Sequence, residues 1–123
     1  MTTMTKTTLN LAEAYYQAIG NKDTASVAEL LHPDVHLIGP LSEVSGKEAV
    51  LGAITNYVAQ IKGLSVQAGF GSEEQAMVKY DVDFGQPLGI CRTAALLTFK
   101  DNLIARLELF FDARPFEKMA GRN

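Results

Sequence analysis

Few side chains in this 123-residue sequence are of a type and spacing able to do chemistry: Tyr15, Asp34, Tyr57, Tyr80, Asp81, Asp83, Cys91 and Thr93, with His32 and His36. A buried phenol can orient a ligand carbonyl, or it can be a core tyrosine with a satisfied hydroxyl. Both readings stand for Tyr15, Tyr57 and Tyr80. Asp81 and Asp83 stand two apart in an alternating segment and so share one strand face. They form either an acid–base pair or part of a solvated face. His32 and His36 do not make a helical metal pair, because Pro33 lies between them. His32 suits a helix C-terminus as a cation, and His36 falls on the strand face opposite Leu37. Cys91 beside Arg92 has either a lowered pKa or an inert thiol. As the single cysteine it excludes an internal disulfide and any multi-cysteine metal site. No glycine-rich phosphate loop is present, and neither a cofactor nor a metal is expected.

The elements that must position these groups read clearly from period and punctuation. Asn10 with Glu13 opens a first helix, which runs to Ile19 and stops at a left-handed Gly20. Asp23 caps a second helix with Val27, Leu30 and Leu31 as its apolar stripe. Pro33 ends it. Asp34 to Ile38 reads as a strand, Gly39-Pro40 breaks it, and Ser45 with Glu48 forms a capping box for a third helix. That helix, Lys47 to Ile61, turns Val50, Leu51, Ile54, Val58 and Ile61 inward. From Gly63 the pattern alternates: Leu64 to Phe70, Val78 to Phe84, Ile90 to Lys100 and Leu103 to Asp112 read as strands. Helices followed by consecutive strands indicate an α+β fold, a curved and largely antiparallel sheet with helices on one side. Glycines at 69, 71, 85 and 89 favour bends and bulges. The expected organisation is a tail over residues 1–8, one domain over 9–116 and a tail over 117–123. Arg114-Pro115-Phe116 packs that tail on the sheet or on a partner.

Composition narrows the function. The net charge is −3 and the basic residues are scattered, which argues against a nucleic-acid surface. No apolar run is long enough to cross a membrane. The polar N-terminus lacks the apolar centre of a signal peptide, so a cytoplasmic location is expected.

Four segments carry a resemblance: Tyr15 to Asp23, Leu30 to Val35, Ser45 to Val50 and Leu107 to Asp112. Their order and spacing resemble the nuclear transport factor 2-like superfamily, closest to its ketosteroid isomerase-like and SnoaL-like members. The resemblance implies an NTF2-like, cystatin-like cone: a bent sheet and three helices around an apolar pocket, commonly dimeric through the sheet. In ketosteroid isomerases an aspartate base works with a tyrosine and a protonated aspartate that hold an enolate oxygen. By the resemblance Tyr15 falls at the tyrosine, but Gly39 falls at the base and Ala95 at the second acid. Two of those three groups are therefore missing.

The periods from Gly39 and Ala95 turn a nearly apolar set inward, from Val35 and Leu37 through Val78, Tyr80, Val82, Phe84, Cys91, Thr93, Ala95, Leu97 and Phe99 to Leu107, Leu109 and Phe111. Lys79, Asp81, Asp83, Arg92, Thr98, Arg106, Glu108 and Asp112 turn outward. A one-residue slip would exchange the faces. The expected pocket lining is Tyr15, Leu37, Gly39, Ile54, Tyr57, Tyr80, Val82, Thr93, Ala95, Leu97, Leu107 and Phe111. The expected function is binding of a small hydrophobic molecule bearing a carbonyl or a ring, with Tyr15 and Thr93 as hydrogen-bonding groups. Two alternatives stay open. One is an isomerase-, cyclase-, dehydratase- or epoxide-hydrolase-like enzyme using Tyr15 with Asp34 or Asp81. The other is a homodimeric interaction module.

Overall fold

Period and punctuation translate into ten elements in a computed structural model that describes residues 7–119. Most of the expected N-terminal tail (1–6) and the end of the C-terminal one (120–123) lie outside the described residues. Helix α1 (Thr8–Gly20) begins earlier than Asn10, because the Thr7 hydroxyl accepts from the Asn10 N–H at 3.0 Å and caps it. Thr8 is already buried, its hydroxyl 2.6 Å from the Ser72 carbonyl oxygen and 2.9 Å from that of Gln75. Gly20 stays inside α1, and Lys22 at φ +58° takes the left-handed turn instead. The Lys22 ammonium donates to the Ile61 carbonyl at 2.9 Å, which anchors that turn. Asp23 caps α2 (Thr24–Leu30) as its sequence predicts, accepting from the Ser26 N–H at 3.1 Å.

Pro33 does not end α2. The helix stops at Leu30, and strand β1 (Leu31–Ile38) follows without a gap. Pro33 is tolerated there because β1 pairs irregularly between Leu31 and His36, where no ladder donor is needed. A short strand β2 (Glu43–Ser45), not expected from the sequence, pairs antiparallel with β1, His36 opposite Ser45. Ser45 is thereby committed to the sheet, and the predicted capping box does not form. Gly46 occupies the cap position of α3 (Lys47–Gln60) with no side-chain hydrogen bond. Its φ of +93° and ψ of 143° suit glycine alone, and its N–H donates to the Val35 carbonyl at 2.8 Å.

Strands β3 (Gly63–Gly71), β4 (Gln75–Asp83), β5 (Ile90–Lys100) and β6 (Leu103–Phe110) complete a six-stranded sheet of order β2-β1-β6-β5-β4-β3. Only β1 and β6 run parallel. In β4 and β5 the register sets Val78 opposite Ala95, Tyr80 opposite Thr93 and Val82 opposite Cys91 on one face. Lys79 opposite Ala94 and Asp81 opposite Arg92 share the other. Val78, Tyr80, Val82, Ala95 and Leu97 are buried, each exposed by 2% or less. Fully burying a side chain such as Val or Leu contributes about 1.5–3 kcal/mol, whereas exposed charge pairs contribute little. Burial of the apolar row therefore decides the register.

Curvature comes from irregular pairing at three places: in β1, in β3 between Val66 and Ala68, and in β5–β6 between Thr98 and Phe99. The last inserts an extra residue, so Ile104 and Leu107 both point into the core. The bulge in β3 breaks its alternation. Gly69 then faces inward opposite Val78, while Phe70 lies 72% exposed beside Met77. Gly69 and Gly71 serve close approach: a Cβ at Gly69 would meet Leu9 at 2.7 Å, and one at Gly71 the Thr8 hydroxyl at 2.9 Å. Finally, α4 (Arg114–Met119) turns part of the expected C-terminal tail into helix. No described helix is long and apolar enough to cross a membrane.

Substitution separates the two cap assignments. Gly46→Ala is expected to lose about 1–3 kcal/mol from backbone strain alone, since nothing lies within 4 Å of the added methyl. Ser45→Ala should stay within about 0.5 kcal/mol. Urea unfolding midpoints check both, and a larger loss at Ser45 would restore it as the cap.

Candidate functional site

Where the sheet curls away from the helices, α3, the inner sheet face and α4 enclose a cavity of about 360 Å³. Helix α3 presents Ala53, Asn56, Tyr57 and Gln60, one face at helical spacing. The sheet presents Leu37, Gly39, Tyr80, Phe84, Cys91, Thr93, Leu109 and Phe111 on or just past its strands. Leu41 and Ser42, on the loop joining β1 to β2, and Phe116 from α4 complete the wall.

Of the residues expected to line the pocket, Leu37, Gly39, Tyr57, Tyr80, Thr93 and Phe111 do so. Tyr15, Ile54, Val82, Ala95, Leu97 and Leu107 do not; they belong to the closed core. Alternation tells which face a residue is on, but not how far along the cone the space stays open. The narrow end is filled by aromatic packing. Tyr15 meets Tyr16 edge-on with ring centroids 4.7 Å apart, and Tyr16 packs on Tyr80 at 4.4 Å. Tyr80 lines the cavity and Tyr15 does not. Ile54 faces the core because the cavity side of α3 is one residue round, on Ala53 and Tyr57. The sequence reading also missed Asn56 and Gln60. Their spacing of four with each other was the available signal.

The lining includes no Asp, Glu, His, Lys or Arg. Asp34 is exposed on β1. Asp81 lies on the outer face, held by the Lys79 ammonium at 2.8 Å and the Gln67 amide at 2.7 Å. Hydrogen bonding from Lys79, more than any other cause, lowers its carboxyl pKa. The Asp83 carboxylate accepts from the Gly85 N–H at 2.8 Å, and His36 pairs with Glu43 at 2.8 Å. Among the described residues, no three His, Cys, Asp or Glu side chains gather as a metal would require.

The polar groups in the cavity are uncharged. Burial pushes the Tyr57 and Tyr80 phenols well above their ordinary range, so both are hydrogen-bond donors at neutral pH. Burial likewise raises the Cys91 pKa, with the Thr93 hydroxyl 3.8 Å from its sulfur opposing that shift. Cys91 is therefore a thiol rather than an activated thiolate. The Phe116 ring meets Phe84 at 5.2 Å and Phe111 at 5.4 Å, both near edge-on. Such pairs contribute about 0.5–1.5 kcal/mol each. At the start of α4 the Asp112 carboxylate takes the Arg114 guanidinium at 2.9 and 2.8 Å, which holds the carboxyl down at about 2. That link is complete above the ordinary carboxylate range and is lost only as pH falls through about 2.

Beside the cavity, the buried Tyr16 hydroxyl makes no well-directed hydrogen bond among the described residues. Tyr16→Phe is accordingly expected to leave stability unchanged or raise it. A loss above about 1 kcal/mol in thermal or urea unfolding would show that this hydroxyl has a partner.

Comparison with known proteins agrees with this fold. A search of curated proteins by sequence finds no match. Among solved structures, one from Kribbella flavida superposes with a TM-score of 0.88 at 24% identity, covering 95% of this chain and 96% of the other. A candidate polyketide cyclase from Sinorhizobium meliloti gives 0.75 at 22% identity, over 82% and 94% of the two chains. A candidate ketosteroid isomerase from Kribbella flavida gives 0.75 at 21%, over 89% and 82%. At these identities the likeness shows the fold alone. The family model of the SnoaL-like domain matches residues 12–107, and on that match the chain belongs to the SnoaL-like family of the NTF2-like superfamily.

Proposed function

We propose that the protein binds a small hydrophobic molecule bearing a carbonyl or a similar hydrogen-bond acceptor. The observation that carries this reading is the cavity lining: apolar walls with neutral polar groups and no ionisable acid or imidazole. Its volume of about 360 Å³ falls at the small end of the roughly 300–1,000 Å³ usual for ligand pockets. Leu37, Leu109, Phe111 and Phe116 would supply most of the affinity by burial. Tyr57, Tyr80 and Thr93 would orient the acceptor. This moves the hydrogen-bonding role from Tyr15 to Tyr57 and Tyr80. The cyclase- and isomerase-like alternatives draw support from the relatives named above, yet neither Asp34 nor Asp81 lies where it would reach a substrate in this cavity. A general acid or base must stand within hydrogen-bond reach of the proton it moves. The cytoplasmic setting stays part of the proposal.

Calorimetric titration with aryl ketones tests it. Tyr57→Phe should weaken binding roughly two- to tenfold, the worth of one hydrogen bond, while Tyr15→Phe should leave it unchanged. Turnover of enones or epoxides by the wild type, lost in Asp81→Asn or Asp34→Asn, would replace binding with catalysis.

A second reading concerns assembly. The outer sheet face carries an apolar row in which Phe70, Met77 and Leu96 are paired across β3, β4 and β5, with Phe110 one row away. Phe70 is 72%, Met77 38% and Phe110 46% exposed. Exposed apolar patches mark interaction sites, and we propose that a second copy of the chain covers this one, with Glu108 and Arg106 at its margin. Met77→Lys should weaken self-association by roughly tenfold or more, measured by sedimentation equilibrium. An unchanged dimer would place the contact elsewhere.

A further inference from the structure

A second, smaller cavity of about 250 Å³ adjoins the first, walled by Leu88, Ile90, Arg92, Asp112 and Pro115. Cys91 and Phe116 line both spaces. The second cavity exists because the strands end unevenly. Ala94 opposite Phe110 is the last pair between β5 and β6, so β5 runs on to Ile90 without a β6 partner. The chain leaves the sheet at Phe111, and α4 folds back over the gap.

The two shared walls differ in how they are held. Cys91 is fixed in β5 opposite Val82. Phe116 stands on a helix of six residues that has no strand pairing. Its anchors are the two ring contacts with Phe84 and Phe111 and the Asp112–Arg114 link.

Building on the binding reading above, we propose that Phe116 determines ligand length. The ring is a stop at the end of the apolar cavity, and it excludes ligands whose substituent would run on past Cys91 into the second space. The favoured class is therefore a compact ring or carbonyl compound with a short apolar substituent.

A homologous series of phenyl alkyl ketones, titrated calorimetrically, reads this directly. Each added methylene should raise affinity roughly fourfold while it is buried, until the wild type reaches a chain length beyond which affinity stops rising. In Phe116→Ala the rise should continue over several more methylenes, and in Phe116→Trp it should stop earlier. Cys91, the sole cysteine, supplies an independent readout. Long ketones should slow its labelling by a maleimide in Phe116→Ala more than short ones do. A break at the same chain length in all three proteins would overturn the stop and leave the binding reading intact. Failure of every ketone to bind any of the three would overturn both. Should Phe116→Ala lose its fold by circular dichroism, the Trp variant decides, because an unmoved break there contradicts the proposal.

Discussion

The register between β4 and β5 is the constraint on which the rest depends. With Tyr80 opposite Thr93 and Val82 opposite Cys91, the buried apolar residues of these central strands face the helices and the ionised ones face away, on the side that also carries Met77 and Leu96. Side chains alternate with a period of two, so a slip of one residue would bring Asp81 and Arg92 under α3 and put Val78 and Val82 in water. The cost of exposing those buried residues exceeds anything the surface charges return. Once this register is set, the irregular pairing in β1, β3 and β6 bends the sheet around α1 and α3, and one end of the cone is left unfilled.

The unfilled end takes its chemistry from what the register sends there. Tyr80 and Thr93 come from a cross-strand pair, Tyr57 from the facing helix, and Cys91 from the end of β5. All are neutral, and burial keeps the phenols and the thiol protonated. Under the proposed reading, such a site would take an acceptor oxygen against apolar walls. One fold hosts many functions, so the lining residues carry more weight than the superposition does.

Much of this was legible in the sequence. Alternation from Val78 onward identified both faces of the sheet, and the spacing of Val50, Ile54 and Val58 identified the buried side of α3. What escaped has physical causes. Ser45 has the residues of a capping box, but the pairing of His36 with Ser45 across β1 and β2 is a tertiary fact that local propensity does not contain. Ile104 was hidden by the bulge, which breaks the period of two. Tyr15, Ile54 and Leu107 were expected in the pocket because their faces were right. Their depth depends on how the aromatic rings of Tyr15, Tyr16 and Tyr80 stack, and spacing says nothing of that. Phe116 lies beyond the last strand, where no period exists to read.

An open space between α3 and the inner sheet face is the central claim, and xenon is its most direct probe, since it enters apolar cavities that stay dry. In crystals of the protein under xenon pressure, density should appear between Leu37, Leu109 and Phe111, with Asp81 and Glu108 on the far side of the sheet. A space filled by the protein's own side chains, or either carboxylate facing it, would contradict the account.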